Sequence, residues 1–130
     1  ALRLAYRFHA PRRGEIVVFK APVAAARDCG GQGGIFVKRL VGLPGDAVSE
    51  RNGHVFINGK RLAEPYVKAP YRDSMTATWP RISPSHFFML GDNRRNSCDS
   101  RVWGTVPRNA LIGPAVLTYW PPTRLADRSP

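Results

Sequence analysis

At 130 residues, 43% of them hydrophobic, the chain is sized for one domain around a single modest core. Twenty Lys and Arg against nine Asp and Glu give a formal net charge of +11, which admits nucleic acid or an anionic membrane surface as a partner. The basic residues are scattered from Arg3 to Arg128 with no aromatic-plus-basic stripe for stacking bases, so nucleic acid is disfavoured and attraction to acidic lipids fits better.

Twelve glycines and twelve prolines punctuate short runs rich in Val, Ile, Phe and Tyr, without a clean helical period. The class is therefore all-β. Residues 1–8 alternate, with Leu2, Leu4, Tyr6 and Phe8 on one face and Arg3 and Arg7 on the other, as in a strand with one buried side. Glu15-Ile16-Val17-Val18-Phe19 is an unbroken β-branched run fit for a central strand. Residues 21–34 form a small-residue, Gly-rich loop that holds Cys29.

In the run from Ile35 to Val41, strand alternation places Phe36, Lys38 and Leu40 on one face and Val37, Arg39 and Val41 on the other. A lysine in a strand ordinarily guards an edge and extends its ammonium to water. Lys38, however, is flanked on its own face by an aromatic ring and a leucine. Such a face disfavours the ammonium, and a lysine acts as a general base only when neutral. On these residues alone both readings stand.

Asn52-Gly53 and Asn58-Gly59 separate three short alternating runs between Ala47 and Leu62, the local signature of hairpins with type I′ turns. Residues 66–84 are polar and proline-punctuated and read as a loop, with Ser74 in it. His86-Phe87-Phe88-Met89-Leu90 is a strand, followed by Gly91-Asp92-Asn93-Arg94-Arg95-Asn96-Ser97-Cys98-Asp99-Ser100-Arg101-Val102-Trp103-Gly104. A polar run this dense, clamped between apolar segments, must satisfy its groups internally, and such networks hold side chains in one geometry. Residues 115–120 read as a closing strand and residues 121–130 as a tail. Cys29 and Cys98 are too few for a disulfide framework; two free thiols are expected, with one bridge the alternative. His9, His54 and His86 stand at no ligand spacing, so no metal and no cofactor are expected. No window approaches the roughly eighteen apolar residues needed to span a bilayer.

The run from Gly91 resembles the last signature box of bacterial type I signal peptidases, Gly-Asp-Asn-Arg, two residues, Ser, one residue, Asp-Ser-Arg. Residues 37–46, Val-Lys-Arg-Leu-Val-Gly-Leu-Pro-Gly-Asp, resemble the same family's lysine box, and Arg13-Gly14-Glu15-Ile16-Val17-Val18-Phe19 resembles its Arg/Pro-Gly-Asp strand, with Glu15 in place of Asp. The likeness runs from Tyr6 to Trp120, and the short insert and Tyr6-Arg7-Phe8 look most like actinobacterial members.

The resemblance implies a signal-peptidase-like antiparallel β-fold, one catalytic domain over residues 1–120 with an insert at about 47–84. It implies a membrane-anchored serine endopeptidase on the extracytoplasmic face of the bacterial plasma membrane. Its substrates would be signal peptides of exported preproteins, cut after Ala-x-Ala by a Ser/Lys dyad. Lys38 falls at the general base and Ser97 at the serine that orients it. Arg39, Asp92, Asn93, Asp99 and Arg101 fall at supporting positions, and Val18, Phe36 and Val37 at substrate pockets. The family's nucleophile box, Ser-Met-x-Pro-Thr, is not filled: Ser74-Met75 lacks the proline and follows Lys38 instead of preceding it. The attacking serine and the membrane anchor are expected just upstream of Ala1, and the 130 residues alone are expected to be inactive. The alternative is a non-catalytic β-module that binds peptides or acidic surfaces.

Overall fold

A computed structural model of the chain describes residues 9–31 and 33–115. The strand expected over residues 1–8, and all but the first residue of the one expected over 115–120, lie outside them. The described residues form two antiparallel sheets. The larger is built from β1 (Ile16–Lys20), β2 (Ile35–Gly42), β7 (His86–Leu90), β8 (Val106–Pro107) and β9 (Leu111–Pro114), in the order β8-β7-β2-β1-β9. The smaller is built from β3 (Val48–Arg51), β4 (His54–Ile57), β5 (Lys60–Arg61) and β6 (Ala77–Thr78), in the order β5-β4-β3-β6. The all-β class is the one observed. Two short helices, α1 (Val23–Asp28) and α2 (Ser100–Trp103), join it.

The apolar runs that lack alternation become interior strands because both faces of the larger sheet are covered. On one face Val17, Phe19, Leu40, Phe87 and Met89 pack with Ala25 of α1 and Trp103 of α2. On the other, Val41, Phe88 and Leu90 pack against Val48, Val55 and Ile57 of the smaller sheet. Gly42 lies where the β2–β7 register shifts, between Leu40 and Gly42. A Cβ there would meet Ile82 Cδ1 at 2.5 Å and Val48 Cγ2 at 2.9 Å. A glycine is what lets the sheets approach so closely.

Both Asn-Gly pairs turn as their chemistry dictates, with positive φ at Asn52, Gly53, Asn58 and Gly59. Two loops contain more order than the sequence suggested. The 21–34 segment folds α1, a helix of six residues and thus too short to show a period. The 66–84 segment supplies β6, two residues paired with Ser49 and Glu50.

Candidate functional site

Lys38 sits in the middle of β2, paired with β1 on one side and one residue before the β2–β7 ladder begins at Arg39 on the other. Its cross-strand partner is Val17, so it shares a face with Phe19, Phe36 and Leu40. Phe36 lies 5.7 Å from Nζ, ring centroid to nitrogen, and is braced by Phe19 and Trp103 at centroid distances of 6.3 Å each. The half-buried Lys38 amine donates to Ser97 Oγ at 3.1 Å. Burial pushes its pKa below the ordinary lysine value; the Asp99 carboxylate opposes that shift, and the Arg101 guanidinium adds to it.

Ser97 is carried by the polar loop that follows β7, and N–H groups at the junction of strand and loop bond to side chains of that loop. Met89 N–H donates to Ser100 Oγ at 2.8 Å and Gly91 N–H to Asp99 Oδ2 at 3.1 Å. Asp99 also caps α2 by accepting from Arg101 N–H. This anchoring holds Ser97 in an extended conformation directly after the 3₁₀ turn Arg94–Asn96.

Two ion-pair systems flank the Lys38–Ser97 pair. Arg39 grips Asp92 with both prongs, Nε to Oδ1 at 2.8 Å and Nη2 to Oδ2 at 2.7 Å, while Nη1 donates to Gly14 O. The Tyr66 ring lies 3.9 Å from the same guanidinium. On the other side Arg101 pairs with Asp99 through Nε at 2.9 Å and Nη2 at 3.0 Å. Burial works against the Arg101 charge, but the hydrogen bond and charge of Asp99, with Glu50 and Asp73 beyond, hold its pKa above the usual arginine value.

The structure thus brings Lys38, Ser97, Asp99 and Arg101 together, with Arg39 and Asp92 on the strand's opposite face. Asn93 contributes backbone: it precedes the 3₁₀ turn without a side-chain cap, and its carbonyl accepts from Asn96 N–H at 3.0 Å. The three pocket candidates divide. Phe36 shares the Lys38 face, whereas Val18 and Val37 are cross-strand partners on the other. Ser74 is exposed in the 66–84 loop.

Free thiols at Cys29 and Cys98 are the expectation that fails. The two are joined in a disulfide, with Cα atoms 5.9 Å apart. Docking of α1 against α2 over one core brings the cysteines together, a proximity that a count of two does not encode. Sequence reasoning also missed the buried pair Arg94–Glu64, with Nη2 2.5 Å from Oε2, and the carboxyls of Glu50 and Asp73 on Arg101. Alternation did hold a signal for Glu50, which shares its face of β3 with the buried Val48.

The family model described as signal peptidase, peptidase S26, matches residues 1–120. Signal peptidase I of Leptolyngbya laminosa is 40% identical over 98% of this chain and 62% of its own length. Signal peptidase I of Bacillus caldolyticus is 33% identical over 92% of this chain and 67% of its own. The crystal structure of a signal peptidase I from Enterococcus faecalis V583 superposes with a TM-score of 0.67 at 30% identity, covering 82% of this chain and 97% of that one. The chain spans 55% to 62% of the length of the Leptolyngbya and Synechocystis relatives it matches.

Proposed function

The chain belongs to the signal peptidase family, peptidase S26, and from that membership we propose that it is the base-bearing part of a serine endopeptidase that removes signal peptides from exported preproteins. The observation that carries the reading is the hydrogen bond from the half-buried Lys38 amine to Ser97 Oγ at 3.1 Å. A serine hydroxyl attacks a peptide carbonyl only when a base takes its proton. Lys38, kept from full solvation, is that base. Ser97 orients the amine and is not itself the nucleophile. The attacking serine belongs to a Ser-Met-x-Pro-Thr box, which these 130 residues do not contain.

In the reaction the neutral Lys38 amine accepts the proton of that serine as its oxygen bonds to the scissile carbonyl. The resulting ammonium returns the proton to the leaving amine, and water then releases the acyl group. Substrate selection follows from β2. Its ladder with β7 begins only at Arg39, so no strand occupies the β7-facing side of residues 35–38 among the described residues. An extended cleavage segment adds there, beside Lys38, with alternate side chains directed to opposite faces. Phe36 on one face, and Val18 with Val37 on the other, leave room for small side chains only.

The enzyme works at the extracytoplasmic face of the bacterial plasma membrane, where its substrates emerge. Two features support that placement: the Cys29–Cys98 bridge belongs to an oxidising compartment, and a charge of +11 favours an anionic lipid surface. The test joins a Ser-Met-x-Pro-Thr box and its anchor upstream of Ala1 and offers the enzyme, in lipid, peptides with Ala-x-Ala or Leu-x-Leu before the scissile bond. Mass spectrometry should show cleavage after the second alanine and none of the leucine peptide. A folded, serine-bearing enzyme that cuts neither, or both alike, would overturn the proposal.

A further inference from the structure

Arg101 has all five N–H donors engaged. Nε and one Nη2 hydrogen go to Asp99, the other Nη2 hydrogen goes to Arg94 O at 3.0 Å, and Nη1 serves Asp73 Oδ2 at 2.7 Å and Glu50 Oε1 at 3.5 Å. The last two come from outside the polar loop. Glu50 is on β3 of the smaller sheet, and Asp73 is in the segment leading to β6. Each carboxyl leaves its second oxygen buried without a partner, and neither has another side-chain hydrogen bond among the described residues. Burying two carboxyls is costly, and Arg101 is the one group toward which both are turned.

Their placement is itself fixed. Gly53, at the tip of the β3–β4 hairpin, has φ +80°, and a Cβ there would meet Asp73 O at 2.0 Å. Gly53 N–H donates to Met75 O at 2.9 Å, and Arg72 donates to Gly53 O at the same distance. The hairpin tip thus holds the chain on both sides of Asp73, through the Arg72 side chain before it and the Met75 carbonyl after it.

We propose that Glu50 and Asp73 are positioning residues for the site, fixing the Arg101 guanidinium from the smaller sheet and, through it, the Asp99 carboxylate against Lys38. The proposal rests on the reading of Lys38 as the base. Asp99 and Arg101 are the charged groups that act on Lys38, with opposite signs, so the amine responds to where that pair stands. The groups that act on Glu50 are Arg101, Asp73 and Arg94.

The experiment titrates Lys38 by NMR in the chain labelled at the lysine ε-carbons, where only Lys20, Lys38, Lys60 and Lys68 give signals and Lys38→Met assigns the one of interest. Asp73→Ala frees part of Arg101, so Asp99 is less well neutralised and the Lys38 midpoint rises by about half a pH unit, roughly a threefold loss of neutral amine at fixed pH. Asp73→Asn keeps an acceptor for Nη1 and shifts the midpoint by less than half as much. If the alanine variant does not fold, Asp73→Glu displaces the same carboxylate by one methylene and must raise the midpoint too. Variants that fold with a lower Tm but an unmoved Lys38 midpoint overturn the proposal while leaving the base assignment intact. A wild-type Lys38 that titrates at the ordinary lysine value overturns both.

Discussion

Cys98 is bonded to Cys29 across 69 residues of sequence, and the residue preceding it is Ser97, which holds the Lys38 amine. The bridge therefore ties the loop bearing Ser97 to the end of α1, one of the elements that cover the core beneath Lys38.

Reduction of that bridge should lower stability. In the chain-entropy picture, closing a loop of this length is worth about 4 kcal/mol, and native strain or residual structure in the unfolded chain makes the measured effect smaller. Urea denaturation with and without a thiol reductant should show the midpoint fall on reduction. A Cys29→Ser, Cys98→Ser double variant should sit at the reduced value and ignore the reductant. A midpoint that reductant leaves in place would show that the bridge contributes nothing to stability.

How much of this was legible beforehand depended on whether the physics was local. The Asn-Gly turns were, because positive φ at two successive residues is a demand on those two residues alone. The face shared by Phe36, Lys38 and Leu40 was as well, since alternation is a property of one strand. The ion-pair system of Glu50 and Asp73 with Arg101, and of Glu64 with Arg94, was not. It exists because a hairpin tip, a proline-rich segment and the Gly91–Gly104 loop meet in space, and no spacing along the chain announces that meeting. The six-residue α1 owes its existence to packing, through the fully buried Ala25, and too few turns are present for a period to appear.

Glu50 should give stability an unusual pH dependence. Burial, with the neighbouring Asp73 charge, pushes its pKa from 4.5 up to about 7, against the pull of the Arg101 and Arg94 guanidiniums. The folded chain then holds a proton that the unfolded chain has released between about pH 4.5 and 7. Through that window stability falls as pH rises, and it stays at the lower level above it. Glu50→Gln keeps an acceptor for Arg101 and cannot ionise, so its Tm should match the wild type near pH 4 and exceed it at pH 8. Parallel Tm profiles for the two proteins would show that Glu50 titrates at its ordinary value.

Lys38 has the opposite sign. Its folded pKa lies below the ordinary 10.5, mainly through burial, so between the two values the unfolded chain binds the extra proton and stability rises with pH. Lys38→Met removes the buried ammonium while keeping an unbranched apolar side chain beside Phe36. It should therefore raise Tm at pH 7 and lose that advantage as pH approaches the unfolded value, a stability gained where function needs a strained group. In the enzyme with its serine box in place, turnover should climb with pH along the Lys38 titration, because only the neutral amine accepts the serine proton. Lys38→Arg keeps the cation and, with its guanidinium always protonated, supplies no base at any usable pH. Its turnover should be lost while the urea midpoint stays near that of the wild type. A Lys38→Arg enzyme that retained most of the activity, or a pH–rate profile unrelated to the Lys38 midpoint measured by NMR, would move the general base to another group.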